Sequence, residues 1–472
     1  MKLNKLLKGI DCINNHNYEI TNISCDSRKI KKNGLFIAIK GYNFDGNNYI
    51  EEAIKNGCVS VITDDINTNY NINTIRVEDS RKSLSIISNN FYNNPLKKMK
   101  IIGITGTKGK TTTSFIIKKI LEDNGYKVGL IGTLGTYIND KKIYDNTRTT
   151  PNSDELFYLF NEMNKSNCDI VIMEVSSQSL KLNRVYGIEY DIGVFTNFSL
   201  DHISKNEHNN LEDYFKSKLK LMDNSKTLIL NNDDKIVNKI TKLYKKKIIT
   251  YGINNKSDIN ASNIVINNTN TIFDIDKRYK IDIPGIFSVY NSLCAISVCK
   301  YLKCNNINLD NIKIKGRSEI VNNNLNIPIM IDYAHTPDSL LKILESSRKI
   351  TNGRIICVFG CGGNRDSSKR PIMGIISSRL ADYTIITSDN PRYEDPLSII
   401  NDIKKGIKKD NYEIIVDRTE AIKKAIEIST ENDLILLVGK GHETYQEING
   451  IKYPYDERLI INDICKSKQK VK

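Results

Sequence analysis

The sequence predicts an α/β protein built around a parallel sheet that is covered by helices. Two observations predict this class: short apolar runs alternate with helical patterns from about Met99 onward, and the main polar motifs directly follow apolar runs. Alternating strands and helices form parallel sheets, and ligands bind such sheets at the carboxyl ends of the strands. With 472 residues, we also expect about three domains, at roughly 100–200 residues each.

The apolar runs that we interpret as buried strands are bounded by polar segments. They cover residues 100–104, 170–175, 192–197, 227–230, 248–251, 329–331, 355–359, 383–387 and 434–438. Helical patterns lie between many of them, including residues 114–121, 211–222 and 290–303. Breaks near residues 95–100 and near Gly316 predict three domains, at residues 1–97, 98–315 and 316–472.

Composition and charge argue against several classes of protein. The formal charge is +14, but the lysines are scattered, and there is no zinc finger, basic arm or aromatic-interleaved stripe. We therefore expect no nucleic-acid partner, with a basic RNA-binding protein kept as an alternative. No apolar stretch is long enough to cross a bilayer, so we expect no membrane association. The ten cysteines form no CxxC pair, which favours a reduced, cytoplasmic protein. We also expect the protein to be a monomer.

A glycine-rich turn follows the first predicted strand and enters a helical pattern. Backbone amides in such a turn surround phosphate oxygens, Lys110 can reach the β- and γ-phosphates, and the Thr111 hydroxyl can hold Mg²⁺. The usual spacing places a glycine where this chain has Ile104, so the turn is a variant. The alternative is an ordinary strand–helix turn with a solvated lysine. The predicted phosphate contacts are Gly106, Thr107, Lys108, Gly109, Lys110, Thr111 and Thr112.

Two further predicted strands end in residues that bind cations. Glu174 closes the run at residues 170–175, and Asp201 and His202 follow the next run. A carboxylate at the end of a buried strand is costly unless it is paired or bound to a cation. We predict that Glu174 and His202 hold Mg²⁺ beside the phosphates. The alternatives are an ion pair from Glu174 to a Lys or Arg, and a helix-cap or loop role for His202.

Eight segments along the chain carry a family resemblance when they are taken together. In order they are GITGTKGKTTT, MEVSSQSL, TNFSLDHI, GRSEIV, IDYAHTPDSL, GCGGNRDSSKRPIMG, SDNPRYEDP and GKGHETYQ. They resemble the Mur ligase family over residues 26–458, and most of all the members that add the third residue of the cell-wall peptide. The resemblance implies an N-terminal domain for a UDP sugar, a central P-loop parallel-sheet domain for ATP, and a C-terminal Rossmann-like domain for the amino acid.

The resemblance also implies residues that bind the two nucleotides. UDP contacts are implied at Cys25, Ser27, Tyr42, Asn43 and Phe44. Contacts to the muramoyl peptide and diphosphate are implied at Arg148, Thr149, Thr150, Ser176, Leu182 and Arg184, although Arg148 and Leu182 depart from the family's usual residues. Contacts to adenine and phosphate are implied at Asn291, Arg317 and Asp332, with His335 nearby, and Ser288 stands where the family usually has Asn.

Lys218 lies in the helical pattern at residues 211–222, where a solvated lysine is the ordinary interpretation. It matches the lysine that the family carbamylates. A bare ammonium would repel Mg²⁺, whereas a carbamate formed with CO₂ is an anionic oxygen ligand. The resemblance therefore implies a metal site of Thr111, Glu174, His202 and carbamylated Lys218, and a catalytic set of Lys110, Glu174, His202 and Lys218.

The segment Asp389, Asn390, Pro391 and Arg392 resembles the signature of family members that take meso-2,6-diaminopimelate. This substrate carries a second carboxylate at its far end, which an arginine can clamp with two hydrogen bonds. Lysine has no such group. Further contacts to the diamino acid are implied at Arg370, Gly439 and Glu443. The alternative for residues 389–392 is a simple proline turn.

The reaction implied by this resemblance is an ATP-dependent amide ligation in peptidoglycan synthesis. The γ-carboxylate of D-Glu in UDP-N-acetylmuramoyl-L-alanyl-D-glutamate takes the γ-phosphate of ATP, and the amine of meso-2,6-diaminopimelate then displaces phosphate from the acyl phosphate. The alternatives are the same reaction with L-lysine, an amide ligase with a folate substrate, and a P-loop nucleotide switch or binding module without ligase activity.

Overall fold

The computed structural model describes residues 1–42, 44–67, 70–199, 203 and 207–469. The chain divides into two compact units. The first contains residues 1–260 and 291–307, and the second contains residues 261–290 and 308–472. Each unit contains a largely parallel sheet with helices, so the predicted α/β class is confirmed.

The first unit begins with a small parallel sheet of four strands, which stand in chain order. The strands are β1 (Asn22–Ser24), β2 (Gly34–Ile37), β3 (Cys58–Thr63) and β4 (Asn73–Arg76), and the helices are α1 (Leu3–Leu6), α2 (Ile50–Lys55) and α3 (Ser80–Phe91). Asp79 caps α3 by accepting hydrogen bonds from the amides of Arg81 and Lys82. The cap fixes the start of α3 and the position of Arg81.

The large sheet of the first unit has nine strands. They are β5 (Lys100–Thr105), β6 (Val128–Gly132), β7 (Gly135–Ile138), β8 (Lys141–Tyr144), β9 (Ile170–Glu174), β10 (Tyr190–Phe195), β11 (Ser225–Asn231), β12 (Lys247–Gly252) and β13 (Ile259–Asn260). The helices are α4 (Lys110–Asp123), α5 (Ser153–Lys165), α6 (Ser177–Lys181), α7 (Leu211–Asp223) and α8 (Val237–Leu243).

The strand order in this sheet is β13-β12-β11-β10-β5-β9-β6-β7-β8, and only the pairs β6–β7 and β7–β8 are antiparallel. Strand β5 therefore lies between β9 and β10, parallel to both. Parallel neighbours end at the same edge of a sheet, so the turn after β5 lies beside Glu174 at the end of β9 and beside residues 196–199 after β10.

The second unit contains an antiparallel sheet of β14 (Ser262–Ile266), β15 (Thr271–Asp274) and β16 (Arg278–Ile281). Helix α9 (Ile286–Tyr301) follows and crosses the division at residues 290 and 291. It begins four residues before the predicted start at 290. Gly285, with φ of 106°, precedes it, and the Ser288 amide bonds the Gly285 carbonyl at 3.0 Å in its first turn.

The main sheet of the second unit has six strands in the order β17-β18-β22-β19-β20-β21, of which only β17 is antiparallel to its neighbour. The strands are β17 (Glu319–Ile320), β18 (Ile329–Asp332), β19 (Ile355–Phe359), β20 (Tyr383–Ile386), β21 (Tyr412–Ile414) and β22 (Leu434–Val438), followed by the hairpin β23 (Tyr445–Ile448) and β24 (Ile451–Pro454). The helices are α10 (Pro337–Arg348), α11 (Lys369–Leu380), α12 (Pro396–Lys404), α13 (Arg418–Ile428) and α14 (Glu457–Gln469).

Apolar side chains on both faces of the six-stranded sheet are buried in two clusters. A parallel strand that is covered on both faces has a continuous run of apolar residues in its sequence. Such runs predicted β18, β19, β20 and β22. None of the described helices is long and apolar enough to cross a membrane.

Candidate active site

The glycine-rich turn between β5 and α4 is held by the residues that follow β10. The Thr196 hydroxyl donates to the Lys108 carbonyl at 2.6 Å, and the Asn197 side chain bonds both the amide and the carbonyl of Lys108 at 2.9 Å. Gly106 and Gly109 have φ of 141° and 87°, where other residues are strained. A Cβ on Gly106 would lie 1.9 Å from the Thr196 hydroxyl. The turn therefore requires these glycines.

Helix α4 begins at Lys110, directly after this turn, and Gly109 provides no side-chain cap. The first amides of a helix carry partial positive charge and bind anions. The Lys110 ammonium donates to the carbonyl oxygens of Gly106 at 2.8 Å and Thr107 at 3.1 Å. The Lys110 side chain is thus folded over the turn rather than extended into solvent. This geometry is suited to binding a phosphate group.

Glu174 is fully buried at the end of β9. Its carboxylate accepts hydrogen bonds from the Thr111 hydroxyl at 2.9 Å and from the Thr133 amide and hydroxyl at 3.0 Å. Within the described residues, its partners are hydroxyls and an amide, and no ion pair joins Glu174 to a Lys or Arg. A carboxylate next to a threonine hydroxyl at a phosphate loop provides the hard oxygen donors that Mg²⁺ prefers.

Lys218 projects from α7 and is only 1% exposed, which excludes a solvated lysine. Its ammonium donates to the Gly106 carbonyl at 2.8 Å and lies 4.5 Å from the centre of the Tyr214 ring. The Tyr214 hydroxyl in turn donates to the Thr107 hydroxyl at 3.2 Å. Helix α7 therefore contacts the phosphate turn through Lys218 and Tyr214.

His202 and the preceding Asp201 lie outside the described residues, so the predicted role of His202 stays a prediction. Within the described ranges, no group of three or more His, Cys, Asp or Glu side chains is arranged to hold a metal ion. Glu174 and Thr111 fit Mg²⁺ as oxygen donors. Lys218 fits only as a carbamate, because its ammonium is a hydrogen-bond donor and carries positive charge.

The residues predicted to contact UDP lie beside the small sheet. Cys25 is tied to α5, because Asp154 accepts hydrogen bonds from the Ser24 hydroxyl at 3.1 Å and from the Cys25 amide at 3.2 Å. The Ser27 hydroxyl donates to Glu52. Tyr42 and Phe44 are exposed at 48% and 71%, and Asn43 between them is outside the described residues.

Arg184 is buried in the first unit and interacts electrostatically with two further arginines, Arg148 and Arg81. Arg184 donates to the Thr150 carbonyl at 3.3 Å. Burial, together with the charges of Arg148 and Arg81, lowers the pKa of Arg184 to about 10, so Arg184 stays charged at neutral pH. A buried arginine that interacts with two further arginines favours binding of a multiply charged anion.

The other predicted peptide contacts surround the end of β9. The Thr150 hydroxyl donates to the Glu174 carbonyl at 2.9 Å and accepts from the Ser176 amide at 3.0 Å. The Thr149 hydroxyl lies 3.1 Å from that of Thr133. Ser176 caps α6, and Leu182 follows its last residue. Thr149, Thr150 and Ser176 therefore lie within one hydrogen-bonded network with Glu174.

The predicted adenine and phosphate contacts fall in both units. In the first unit, Asn291 accepts from the Thr113 hydroxyl at 3.3 Å, and a Cβ on Gly109 would lie 2.4 Å from the Asn291 oxygen. In the second unit, the Arg317 guanidinium lies 4.9 Å over the Tyr333 ring, and Asp332 accepts from the Ser318 amide at 2.7 Å. Burial raises the pKa of Asp332, while Arg317 opposes this effect.

The segment at residues 389–392 follows β20 and is more than a proline turn. Arg392 has φ of 53°, a left-handed conformation that costs energy for an arginine and often marks a functional site. Its guanidinium donates to Glu447 at 3.2 Å and to the Gly363 carbonyl at 2.8 Å. The Asn390 amide nitrogen donates to Glu443 at 2.8 Å. The Glu447 amide donates to the Asn390 side-chain oxygen at 2.9 Å, so three predicted contacts, Asn390, Arg392 and Glu443, are linked within the second unit.

Gly439 directly follows β22 at the same edge of the sheet, with φ of 111°. A Cβ there would lie 2.6 Å from the Asp389 carboxylate, so glycine leaves the space that Asp389 occupies. Arg370 is buried on α11, where it forms ion pairs with Glu394 at 2.9 Å and Asp402 at 3.1 Å. Its predicted contact to the diamino acid stays a prediction.

Three family models match the chain in succession. The model of the Mur ligase family catalytic domain matches residues 19–92, that of the Mur ligase middle domain matches residues 104–299, and that of the Mur ligase glutamate ligase domain matches residues 316–441. The chain belongs to the Mur ligase family. The expected three-domain architecture of the family is thereby confirmed, while the predicted domain limits at residues 97 and 315 stay predictions.

Relatives within the Mur ligases match the whole chain. The UDP-N-acetylmuramoyl-L-alanyl-D-glutamate–2,6-diaminopimelate ligase 1 of Clostridium acetobutylicum is 44% identical over 99% of both chains. The corresponding ligase of Clostridium tetani is 46% identical over 98% of this chain and 99% of its own. A solved structure of a ligase of this name is 28% identical, covers 95% of each chain and has a TM-score of 0.67.

The fold is shared more widely. A folylpolyglutamate synthase from Mycobacterium tuberculosis, solved with ADP, is 13% identical, covers 76% of this chain and 91% of its own, and has a TM-score of 0.61. At this identity the likeness concerns the fold alone.

Several residues of this Mur ligase site were not predicted from its sequence. They are Arg81, Thr133, Asp154, Asn197 and Lys440. Asn197 and Lys440 lie within motifs that carry the resemblance, so their positions in the sequence indicated that they lie near the site. Asp154 contacts Cys25 across 129 residues of sequence, and nothing in the local pattern reveals such a pair.

Proposed function

We propose that this chain adds meso-2,6-diaminopimelate to the D-Glu γ-carboxylate of UDP-N-acetylmuramoyl-L-alanyl-D-glutamate, at the expense of ATP, in peptidoglycan synthesis. The observation that carries the proposal is the 44–46% identity over at least 98% of this chain to relatives named for this ligation. The arginine at residue 392, matched to a substrate with a second carboxylate, supports the choice of diamino acid.

The turn at residues 106–112 binds the phosphates of ATP in this proposal. Its amides and the start of α4 surround the phosphate oxygens. Lys110 leaves the carbonyl oxygens of Gly106 and Thr107 and bonds the transferring γ-phosphate, whose charge it stabilises. Asn291, Arg317 and Asp332 keep the roles toward adenine and phosphate that the family resemblance implies.

Glu174, Thr111, His202 and carbamylated Lys218 are proposed to hold Mg²⁺. When bound, Mg²⁺ would neutralise charge on the phosphates and on the carboxylate. Carbamylation would convert Lys218 from a donor to the Gly106 carbonyl into an anionic oxygen ligand near the same turn. Its burial beside the phosphate turn supports this assignment, because a solvated lysine on the outer face of α7 could not reach an ion bound there.

The chemistry proceeds in two substitutions. A γ-carboxylate oxygen attacks the γ-phosphorus, and ADP leaves. The amine then attacks the acyl carbon, and phosphate leaves. The departing phosphate carries the carboxylate oxygen that had attacked the phosphorus. The amine gives up a proton as the amide forms, so the products are the amide, ADP, phosphate and a proton.

The UDP-sugar end is assigned to Cys25, Ser27, Tyr42, Asn43 and Phe44. The muramoyl peptide and the diphosphate are assigned to Arg148, Thr149, Thr150, Ser176, Leu182 and Arg184. The electrostatic interaction of Arg148 and Arg81 with the buried Arg184 supports a diphosphate in this region.

Asp154 tests this assignment because it fixes Ser24 and Cys25 to α5. Asp154→Ala removes the one carboxylate oxygen that accepts both hydrogen bonds, which should destabilise the fold by about 1–3 kcal/mol. We expect the KM for the UDP-dipeptide to rise about tenfold, with the KM for ATP changed much less. Steady-state kinetics and thermal melting measure both effects. Equal rises in the two KM values would contradict the assignment.

The diamino acid is assigned to Arg370, Asp389, Asn390, Pro391, Arg392, Gly439 and Glu443. The guanidinium of Arg392, now bonded to Glu447, is proposed to take the distal carboxylate of meso-2,6-diaminopimelate. L-Lysine presents no such carboxylate, so the same reaction with L-lysine is the competing candidate, and Arg392 argues against it.

One assay tests the proposed function directly. The purified protein is mixed with ATP, Mg²⁺ and the UDP-dipeptide, with meso-2,6-diaminopimelate or L-lysine as the amine, and the product is weighed by mass spectrometry. We expect one diaminopimelate to be added, and ADP to form in equal amount. Nucleotide hydrolysis without a longer UDP-peptide would instead favour a nucleotide switch.

We further propose that the protein acts as a monomer in the cytoplasm. All ten cysteines are free thiols, which suits a reducing compartment. Light scattering of the purified protein tests the oligomeric state.

A further inference from the structure

Lys440 is a completely buried lysine in the second unit, two residues after the end of β22. Burying an ammonium is costly unless hydrogen bonds and opposite charge compensate for it. Its nitrogen donates to the Asn390 side-chain oxygen at 3.1 Å and lies 3.4 Å from a Glu443 oxygen. Both partners belong to the set proposed to bind the diamino acid.

These contacts determine which way the Asn390 amide faces. Its oxygen accepts hydrogen bonds from Lys440 and, at 2.9 Å, from the Glu447 amide. Its nitrogen is thereby turned toward Glu443, to which it donates at 2.8 Å. Two donors on one side and one acceptor on the other leave a single favourable orientation. Lys440 therefore orients the Asn390 amide and also places a positive charge beside Glu443.

We infer that Lys440 is a positioning residue for the amine substrate, which holds Asn390 and Glu443 in the arrangement that receives an amino group of the diamino acid. The inference rests on the proposed function. Lys440 itself does not contact the substrate in this account. Its effect passes through the orientation of Asn390 and the charge of Glu443.

The charge of Glu443 depends on its surroundings. The groups that face it are Lys440 from its own segment, Asp389 from the segment after β20, Tyr333 after β18 and Tyr445 of β23. Burial raises the pKa of the Glu443 carboxyl, Asp389 raises it further, and Lys440 lowers it. Loss of Lys440 therefore favours the protonated acid, which attracts an ammonium group far less than the carboxylate does.

The test compares Lys440→Met, which removes the cation but keeps the bulk, with Lys440→Arg, which retains a cation. We expect Lys440→Met to raise the KM for meso-2,6-diaminopimelate at least about tenfold at neutral pH, with the KM for ATP nearly unchanged. The increase should shrink at alkaline pH, where Glu443 loses its proton. Lys440→Arg should restore much of the loss.

Lys118→Met is the matched control, since Lys118 is also a buried lysine and is paired with Glu122 on α4.

A double variant separates positioning from general damage. If Lys440 acts through Glu443, Lys440→Met should add little to Glu443→Gln, whereas independent effects would add. Asn390→Asp provides a second route if Lys440→Met does not fold: it keeps an acceptor for Lys440 but removes the donor to Glu443, and should also raise the KM. An unchanged KM in the folded variants, or a loss independent of pH, would overturn the inference. A wild-type protein that forms no UDP-tripeptide would overturn the proposed function instead.

Discussion

Lys110→Ala should lower kcat by about 10³-fold, because one cation that stabilises charge on a transferring phosphoryl group contributes about this much to catalysis. In the structure its ammonium lies over the phosphate turn, bonded to two carbonyl oxygens. The measurement is the rate of UDP-tripeptide formation at saturating substrates. ADP binding, followed by calorimetry, should weaken much less than kcat.

Lys119→Ala is the matched control for this prediction. Lys119 lies on the same helix, is 46% exposed and forms an ion pair with Asp123. Exposed pairs of this kind contribute little to stability, so activity should stay within about twofold of the wild-type value. If Lys110→Ala retained more than about a tenth of kcat, the proposed role of the turn in phosphoryl transfer would be wrong.

Arg392→Ala should reduce kcat/KM for meso-2,6-diaminopimelate by about 10²-fold or more, since a lost charge-assisted contact to a carboxylate costs about 2–4 kcal/mol. It should leave ATP binding unchanged. Discrimination against L-lysine should shrink as well, because the group that distinguishes the two amino acids has been removed. Product analysis with both amines in competition measures this change.

Arg379→Ala serves as the control, because Arg379 is an exposed arginine in the last turn of α11. Both variants remove one arginine from the second unit. An Arg392→Ala protein that kept full preference for the diamino acid would show that another residue recognises the distal carboxylate.

The sequence predicted the strands that are buried on both faces, because a short uninterrupted apolar run between polar segments is typical of such a strand. It did not predict β6, whose five residues include two glycines, or β7 and β8, which are short and partly exposed. The strands of the small sheet have three to six residues. Strands β1, β3 and β4 contain polar residues that interrupt the apolar run, so the local pattern does not mark them.

The candidate site shows the same division. Lys110, Thr111 and Glu174 could be predicted because they belong to motifs placed at strand ends. The burial of Lys218 could not, since the spacing of α7 also fits a solvated lysine. The burial of Lys440 could not be predicted for a related reason: a lysine between two glycines resembles an exposed turn, and only the tertiary contacts to Asn390 and Glu443 place its ammonium inside the protein.

The central claim is that the γ-carboxylate receives phosphate before the amine attacks. The most direct test uses UDP-dipeptide with oxygen-18 in both γ-carboxylate oxygens, followed by mass spectrometry of the phosphate and of the UDP-tripeptide. We expect one heavy oxygen in each phosphate released and one retained in each new amide. UDP-tripeptide formed together with unlabelled phosphate would contradict it.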